Sequence, residues 1–283
     1  MNQSTTTQRR SGVILVVVSA IVFSTAGIFT NGVTTDAWGV IFWRGLAAAL
    51  FTVAYLIFKS TLKTEIRAFG RPALAITILA SIGTAAFIPA FKLSSVADVA
   101  LIYASAPFVA AGLAWIFLKE APSRVVIIAS IAAFIGVLII VSGSLGRGYF
   151  IGNLLAFVMT VMMAGVMVIY RAYPATTAAM PAVASSLLLL PVALLFGDPR
   201  AAPSSEMPFL ILFGLIFAIA AVTLAEGARR LPSAETALLS ALEVPLAPLL
   251  AFLVLAERTG VQVIFGGAII FAAVVWSQTR STR

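Results

Sequence analysis

The sequence predicts an all-α integral membrane protein: ten transmembrane helices forming two five-helix repeats of inverted topology, with both termini in the cytoplasm. Three observations carry this prediction. Hydrophobic residues are 61% of the 283 and charged residues 10%, against roughly 45–50% and about 25% in a soluble domain. Polar clusters cut the chain into ten apolar segments, each about as long as a bilayer requires. Finally, the Lys and Arg residues gather on one side of those segments, as they do in cytoplasmic loops.

The segments run over 12–32, 37–58, 72–93, 95–118, 124–142, 149–171, 178–197, 207–229, 233–255 and 260–277. The first follows Arg9-Arg10 like a secretory signal, but its apolar run continues too far and meets no small-x-small cleavage site. It stays in the fold. Lys59 and Lys63 close the second, and Arg71 opens the third. The tightest cuts are Leu93-Ser94-Ser95 and Leu231-Pro232-Ser233, which separate spans three from four and eight from nine. Ten spans of about 20 residues use about 200 positions, so the connections are short and no soluble domain fits. The repeats are expected at 1–143 and 144–283.

With the N-terminus inside, 13 Lys and Arg fall in cytoplasmic segments and four outside, namely Lys92, Arg147, Arg200 and Arg258; Arg44 lies within a span. The net charge of +8 is therefore a topology signal, and no nucleic-acid partner is expected. The absence of Cys and His excludes disulfides, N/S-type zinc sites and histidine acid–base chemistry. Neither a cofactor, a metal nor a catalytic residue is expected. No ATP-binding motif is present.

An internal repeat supports the division. Lys92-Leu93-Ser94-Ser95 matches Arg230-Leu231-Pro232-Ser233 at an offset of 138, which also places Leu101 on Leu239 and Pro107 on Pro245. One residue of slippage brings Leu118-Lys119-Glu120 onto Leu255-Ala256-Glu257. Five spans separate the copies, so they enter the bilayer from opposite sides, an arrangement that many transporters build around a midplane site.

Ala106-Pro107-Phe108-Val109-Ala110-Ala111-Gly112-Leu113-Ala114-Trp115-Ile116-Phe117-Leu118-Lys119-Glu120 resembles the EamA-domain signature of the drug/metabolite transporter superfamily. Leu242-Glu243-Val244-Pro245 through Leu255-Ala256-Glu257-Arg258 resembles its second copy. Of the two glycines the family favours in the span after each glutamate, this chain keeps Gly136 and Gly266, with Ala129 and Ala273 at the partner sites. The overall look is closest to the YddG-type exporters. The resemblance implies a secondary transporter of the bacterial inner membrane, acting on a small-molecule substrate as a monomer or weak dimer within the lipid bilayer. Amino acids, aromatic and other neutral ones, are the favoured cargo. Organic cations, sugars or nucleotide-like metabolites are the alternatives, and an intramembrane enzyme or a non-transporting scaffold is remote.

Polar residues inside a bilayer mark candidate sites. Thr236, Ser240 and Glu243 form an i, i+4, i+7 stripe on span nine; their partners on span four are Asp98, Ile102 and Ser105. Glu243 lies about 15 Å from the start of its span and Arg44 about 10 Å from the start of its own. The two either pair, or face the two charged ends of a zwitterion, or Arg44 snorkels to the headgroups. Thr77, Ser81 and Thr84 form a second stripe, and Asn153 with Thr160 a third. Such stripes serve either helix–helix hydrogen bonding or substrate contact. Trp43, Phe87, Phe91 and Tyr103 are candidates to line an apolar pocket, or else lipid-facing packing. The expected substrate-binding set is Arg44, Tyr103, Thr236, Ser240, Glu243, Trp43, Phe87 and Thr84.

Overall fold

The computed structural model describes residues 3–94, 99, 102–141, 150–246, 249–250 and 261–281. Its described elements are helical throughout: α1 (Gln3–Phe23), α2 (Ala26–Asn31), α3 (Ala37–Phe58), α4 (Leu62–Arg67), α5 (Arg71–Leu93), α6 (Ala106–Leu118), α7 (Arg124–Val141), α8 (Phe150–Ala172), α9 (Met180–Phe196), α10 (Met207–Ala228), α11 (Ser233–Ser240) and α12 (Val261–Ser281). The helices begin where the chain supplies a start signal. Asp36 caps α3 by accepting from the N–H groups of Trp38 and Gly39, which satisfies donors the first turn cannot pair internally. Proline stands in the first turn of α5, α9 and α10, where its missing N–H costs nothing. Lys119 ends α6 in the left-handed region, at φ 58°.

Among the described residues, four helical segments are long and apolar enough to cross a membrane: Ala37–Phe58, Arg71–Leu93, Phe150–Ala172 and Ser204–Ala228. They coincide with the second, third, sixth and eighth segments expected from sequence. Four further apolar helices are shorter: Ala106–Leu118, Arg124–Ile139, Met180–Phe196 and Ile264–Arg280.

Three expected segments are broken rather than continuous. The first turns at Ser24-Thr25, whose hydroxyls donate back to the carbonyls of Ile21 and Val22 at 2.6 and 2.7 Å. The fourth turns at Ala104-Ser105, two residues before Pro107, with the Ser105 hydroxyl on the Ile102 carbonyl at 2.6 Å. The ninth turns at Ala241-Leu242, three residues before Pro245. Proline has no N–H to return to the preceding turn, and serine or threonine supplies a replacement donor. Hydropathy is blind to such breaks.

Contacts between chain segments give the helix directions. Arg9 near the start of α1 meets both Glu235 at the start of α11 and Gln278 near the end of α12. At this end of the bundle α8 and α6 both finish, since Arg171 is paired with Glu120. Here too α9 starts, its first N–H groups reaching the Glu65 carboxylate. At the other end α3 and α10 start and α5 finishes: Glu206 accepts from Thr34 and Thr35, and Lys92 donates to the Thr35 carbonyl. There α8 also starts, with Asn153 bonded to Ser94. So α3 and α9 run in opposite directions, as do α5 and α10, and α6 and α11.

The packing repeats the same pairing. α1 packs on α10 as α8 packs on α5, and α3 packs on α10 as α9 packs on α5; α7 packs on α12 and α3 on α9. Small residues make these approaches possible, because apolar side chains gain little from each other over lipid. A Cβ on Gly136 would lie 2.7 Å from the Gly266 carbonyl oxygen, so the two glycines kept in the family pattern face each other where α7 crosses α12. Large apolar side chains point outward instead: Leu195, Phe150 and Phe117 are 80, 76 and 71% exposed. Such a surface suits hydrocarbon, not water.

Candidate functional site

A pocket forms where α3, α5, α9 and α10 converge. Its lining includes Arg44 of α3, Thr84 of α5, Ser185 and Ser186 of α9 and Phe217 of α10. The side chains close on one another here, leaving no space wide enough for a water molecule. Gly45 faces α9 at this level, where a Cβ would make ordinary contact with the Ser186 carbonyl oxygen at 3.5 Å. Gly214 lets α10 close on α3, because a Cβ there would meet the Arg44 carbonyl oxygen at 2.7 Å.

Arg44 is 3% exposed. Its guanidinium carbon sits 4.1 Å from the centroid of the Phe217 ring and 5.3 Å from that of Phe213. Among the described residues it makes no ion pair or hydrogen bond, and its buried Nε has no acceptor. The side chain neither snorkels nor pairs with Glu243. A buried guanidinium held only by aromatic faces retains five unused donors.

The described carboxylates are committed elsewhere. Glu243 accepts from the Tyr103 hydroxyl. Glu206 holds Thr34 and Thr35, while Glu120, Glu226 and Glu235 are paired with Arg171, Arg229, Arg230 and Arg9. Asp36, Asp198 and Glu65 accept from backbone N–H groups. Asp98 and Glu257 lie outside the described residues.

The eight sequence candidates divide into four places. Arg44 and Thr84 share the pocket. Tyr103 and Glu243 bond to each other beside the two helix breaks at Ala104-Ser105 and Ala241-Leu242, with Tyr103 against the apolar cluster of Leu238, Leu242 and Ile270. Thr236 and Ser240 are on α11, all eight of whose residues are buried; the Thr236 hydroxyl donates to the Pro232 carbonyl at 3.2 Å. Both side chains are buried within the bundle, and neither lines the pocket with Arg44. Trp43 and Phe87 lie in an apolar layer nearer the Thr35 end. The Trp43 indole donates to the Pro199 carbonyl at 2.8 Å, and Phe87 meets Phe91 edge to face. Neither lines the pocket with Arg44.

Sequence reasoning missed Ser185, Ser186 and Phe217, which line the pocket with Ile41, Gly45 and Leu189, and Phe213, which stands near the Arg44 guanidinium. The adjacent serines were a readable signal, being a polar interruption of span seven. The phenylalanines were not, since an i, i+4 aromatic pair looks the same whether it faces lipid or an arginine. The Thr77 and Ser81 hydroxyls mainly serve α5 itself, donating to the carbonyls of Ala73 and Thr77. Thr84 alone of that stripe reaches the pocket.

Fold and site together describe a helical membrane protein with a buried polar pocket where four of its helices converge. The profile of the EamA-like transporter family matches residues 10–142 and again 150–278, and the chain belongs to that family. A crystal structure superposes with a TM-score of 0.84 over 97% of this chain and 99% of the other, at 15% identity. At that identity the likeness shows the fold alone. No curated protein matches the chain.

Proposed function

We propose that the protein is a secondary transporter that exports small metabolites, amino acids first among them, by alternating access between two inverted halves. The observation that carries this reading is Arg44: a permanent charge buried beside three hydroxyls, in a pocket contributed by both halves. Burying an unpaired charge is costly, and a membrane protein retains one where a substrate or ion meets it. Apolar walls from Ile41 and Leu189 suit the side chain of a neutral amino acid.

The opposed running directions of α3 and α9, α5 and α10, and α6 and α11 support the inverted plan. The two family matches support a division near 143/144. With the three broken segments counted as single crossings, the helices accommodate ten spans. The contact of Arg9 with Gln278 supports an even number of crossings, and in this reading the positive-inside rule assigns the end they share to the cytoplasm, the membrane being a bacterial inner membrane. In this reading the structure is a closed state, and the breaks at Ala104-Ser105 and Ala241-Leu242 are hinges at the midplane.

The test is uptake of labelled tryptophan, phenylalanine, methionine and threonine into liposomes holding the purified protein, against empty liposomes, with a Glu243→Gln variant alongside. Saturable uptake suppressed by unlabelled competitor is the expected result. No flux above empty liposomes for any of them overturns the amino-acid assignment.

A further inference from the structure

We infer that the Arg44 pocket is a carboxylate site: the transported solute carries a single carboxylate that docks on the Arg44 guanidinium, with Thr84 and Ser186 supplying hydroxyl donors. The inference deepens the transport reading and rests on it for the identity of the cargo, not for the existence of the site.

Four observations converge. Arg44 is buried, and its Nε lacks an acceptor. Its guanidinium carbon lies over the Phe217 ring at 4.1 Å, and a ring supplies no oxygen acceptor, so the N–H fork is left for a ligand; a planar carboxylate matches that fork with two parallel hydrogen bonds. Thr84 and Ser186 line the same pocket and bring two hydroxyls to it. Each described carboxylate of the chain has another partner, so none of them neutralises the cation.

Charge balance narrows the ligand class. One guanidinium compensates one negative charge. A phosphate dianion would bring a second charge with no counter-ion into a low-dielectric pocket, where an uncompensated charge is strongly disfavoured. An organic cation would meet Arg44 with like-charge repulsion that this medium barely screens. The amide of an amino acid would offer one carbonyl acceptor in place of two anionic oxygens. Monocarboxylates are the class that remains. Because the pocket has no room even for a water molecule in this state, its walls must part for the ligand to dock.

The experiment is ligand binding to the full-length protein in detergent, read by thermal shift and by calorimetry, with five probes. They are phenylalanine, phenylalaninamide (no carboxylate), 3-phenylpropionate (no amine), inorganic phosphate and tetraphenylphosphonium. Phenylalanine and 3-phenylpropionate are expected to bind, phenylalaninamide at least about tenfold more weakly, in line with the strength of hydrogen bonds to charged groups. Phosphate and the phosphonium are expected not to bind. Arg44→Gln should lose at least about tenfold for both carboxylates, and Arg44→Lys should lose less, since it keeps the charge but not the fork. Thr84→Val, which leaves Arg44 in place, should weaken both carboxylates severalfold and guards against a folding defect in the arginine variants. Equal binding of phenylalanine and its amide, or unchanged 3-phenylpropionate binding in Arg44→Gln, overturns the site, as does phosphate binding as tightly as the carboxylates. Arg44-dependent binding of 3-phenylpropionate with no amino-acid flux in liposomes upholds the site and overturns the amino-acid cargo. Undiminished amino-acid flux in Arg44→Gln does the reverse.

Discussion

The Arg44 guanidinium carbon lies over the Phe217 ring, 4.1 Å from its centroid, and this contact substitutes for the counter-ion that a buried arginine ordinarily needs. The ring quadrupole presents its negative face to the cation, and in a desolvated setting the attraction reaches about 2 kcal/mol. Phe217→Leu keeps most of the apolar volume but removes the π face. Its expected cost is about 1–2 kcal/mol, seen as a lower melting temperature in detergent. Phe217→Trp should retain the stability. The cleanest check is the double variant: in an Arg44→Met background Phe217→Leu should cost little, because no cation remains to be stacked.

Tyr103 and Glu243 tie together the two broken helices. The hydroxyl donates to the carboxylate, one partner standing just before the break at Ala104-Ser105 and the other just after the break at Ala241-Leu242. Tyr103→Phe should destabilise by about 1–3 kcal/mol, the cost of leaving an acceptor unsatisfied. Glu243→Gln retains a carbonyl acceptor and should fold with a smaller loss. The two substitutions combined should cost less than their sum, by about 1 kcal/mol, because each removes the same bond. Strict additivity in thermal or denaturant unfolding would show that the bond contributes nothing.

Much of the architecture was legible in the sequence, and the reason is the bilayer. Hydrocarbon forces backbone groups to pair internally, so runs such as 37–58 and 72–93 had little alternative to helix. The offset linking Pro107 to Pro245 marked equivalent breaks, although it did not say that the chain turns there. Site geometry was less legible. Hydropathy ranks Arg44 and Glu243 as equally anomalous, yet one lies on α3 among hydroxyls and phenylalanines and the other follows α11 beside a tyrosine. Their separation depends on which helix packs where, and that follows from close crossings at residues such as Gly214 and Gly136. Trp43 is adjacent to Arg44 in sequence, but successive residues on a helix are about 100° apart, so its indole reaches Pro199 instead of the pocket.

Gly136 gives the sharpest packing prediction. A Cβ there would stand 2.7 Å from the Gly266 carbonyl oxygen and 2.8 Å from Ile270 Cγ1, and a backbone oxygen cannot move aside without moving α12. Gly136→Ala should therefore destabilise by about 1–3 kcal/mol, the usual range for overpacking, and Gly136→Leu by more. Gly112 is the control. A Cβ there meets nothing within 4 Å, so Gly112→Ala should be neutral or should stabilise α6 by about 0.5–1 kcal/mol through helix propensity. Equal melting temperatures for the Gly136→Ala and Gly112→Ala proteins would contradict the close crossing.

Closure of the Thr35 end depends on one carboxylate. Glu206, just ahead of α10, accepts from the N–H and hydroxyl of Thr34 at 2.8 and 2.7 Å and from those of Thr35 at 3.1 and 2.6 Å. Lys92 at the end of α5 donates to the Thr35 carbonyl at 3.1 Å, so this short loop joins the starts of α3 and α10 to the end of α5. A carboxylate can serve all four donors because both of its oxygens accept. An amide offers a single acceptor oxygen and turns its nitrogen, itself a donor, toward the other threonine. Glu206→Gln should therefore loosen the loop, and Glu206→Ala should loosen it further. The absence of cysteine allows a background-free reporter: Val33→Cys, at a position 6% exposed, treated with a membrane-impermeant maleimide. Labelling should rise severalfold in the Glu206→Gln background and more in Glu206→Ala, since thiol modification tracks access. A reporter at the opposite end should not respond in the same direction, because in alternating access opening one end accompanies closure of the other. Unchanged labelling of Val33→Cys in both variants would mean that the loop is held by its packing, and that Glu206 merely decorates it.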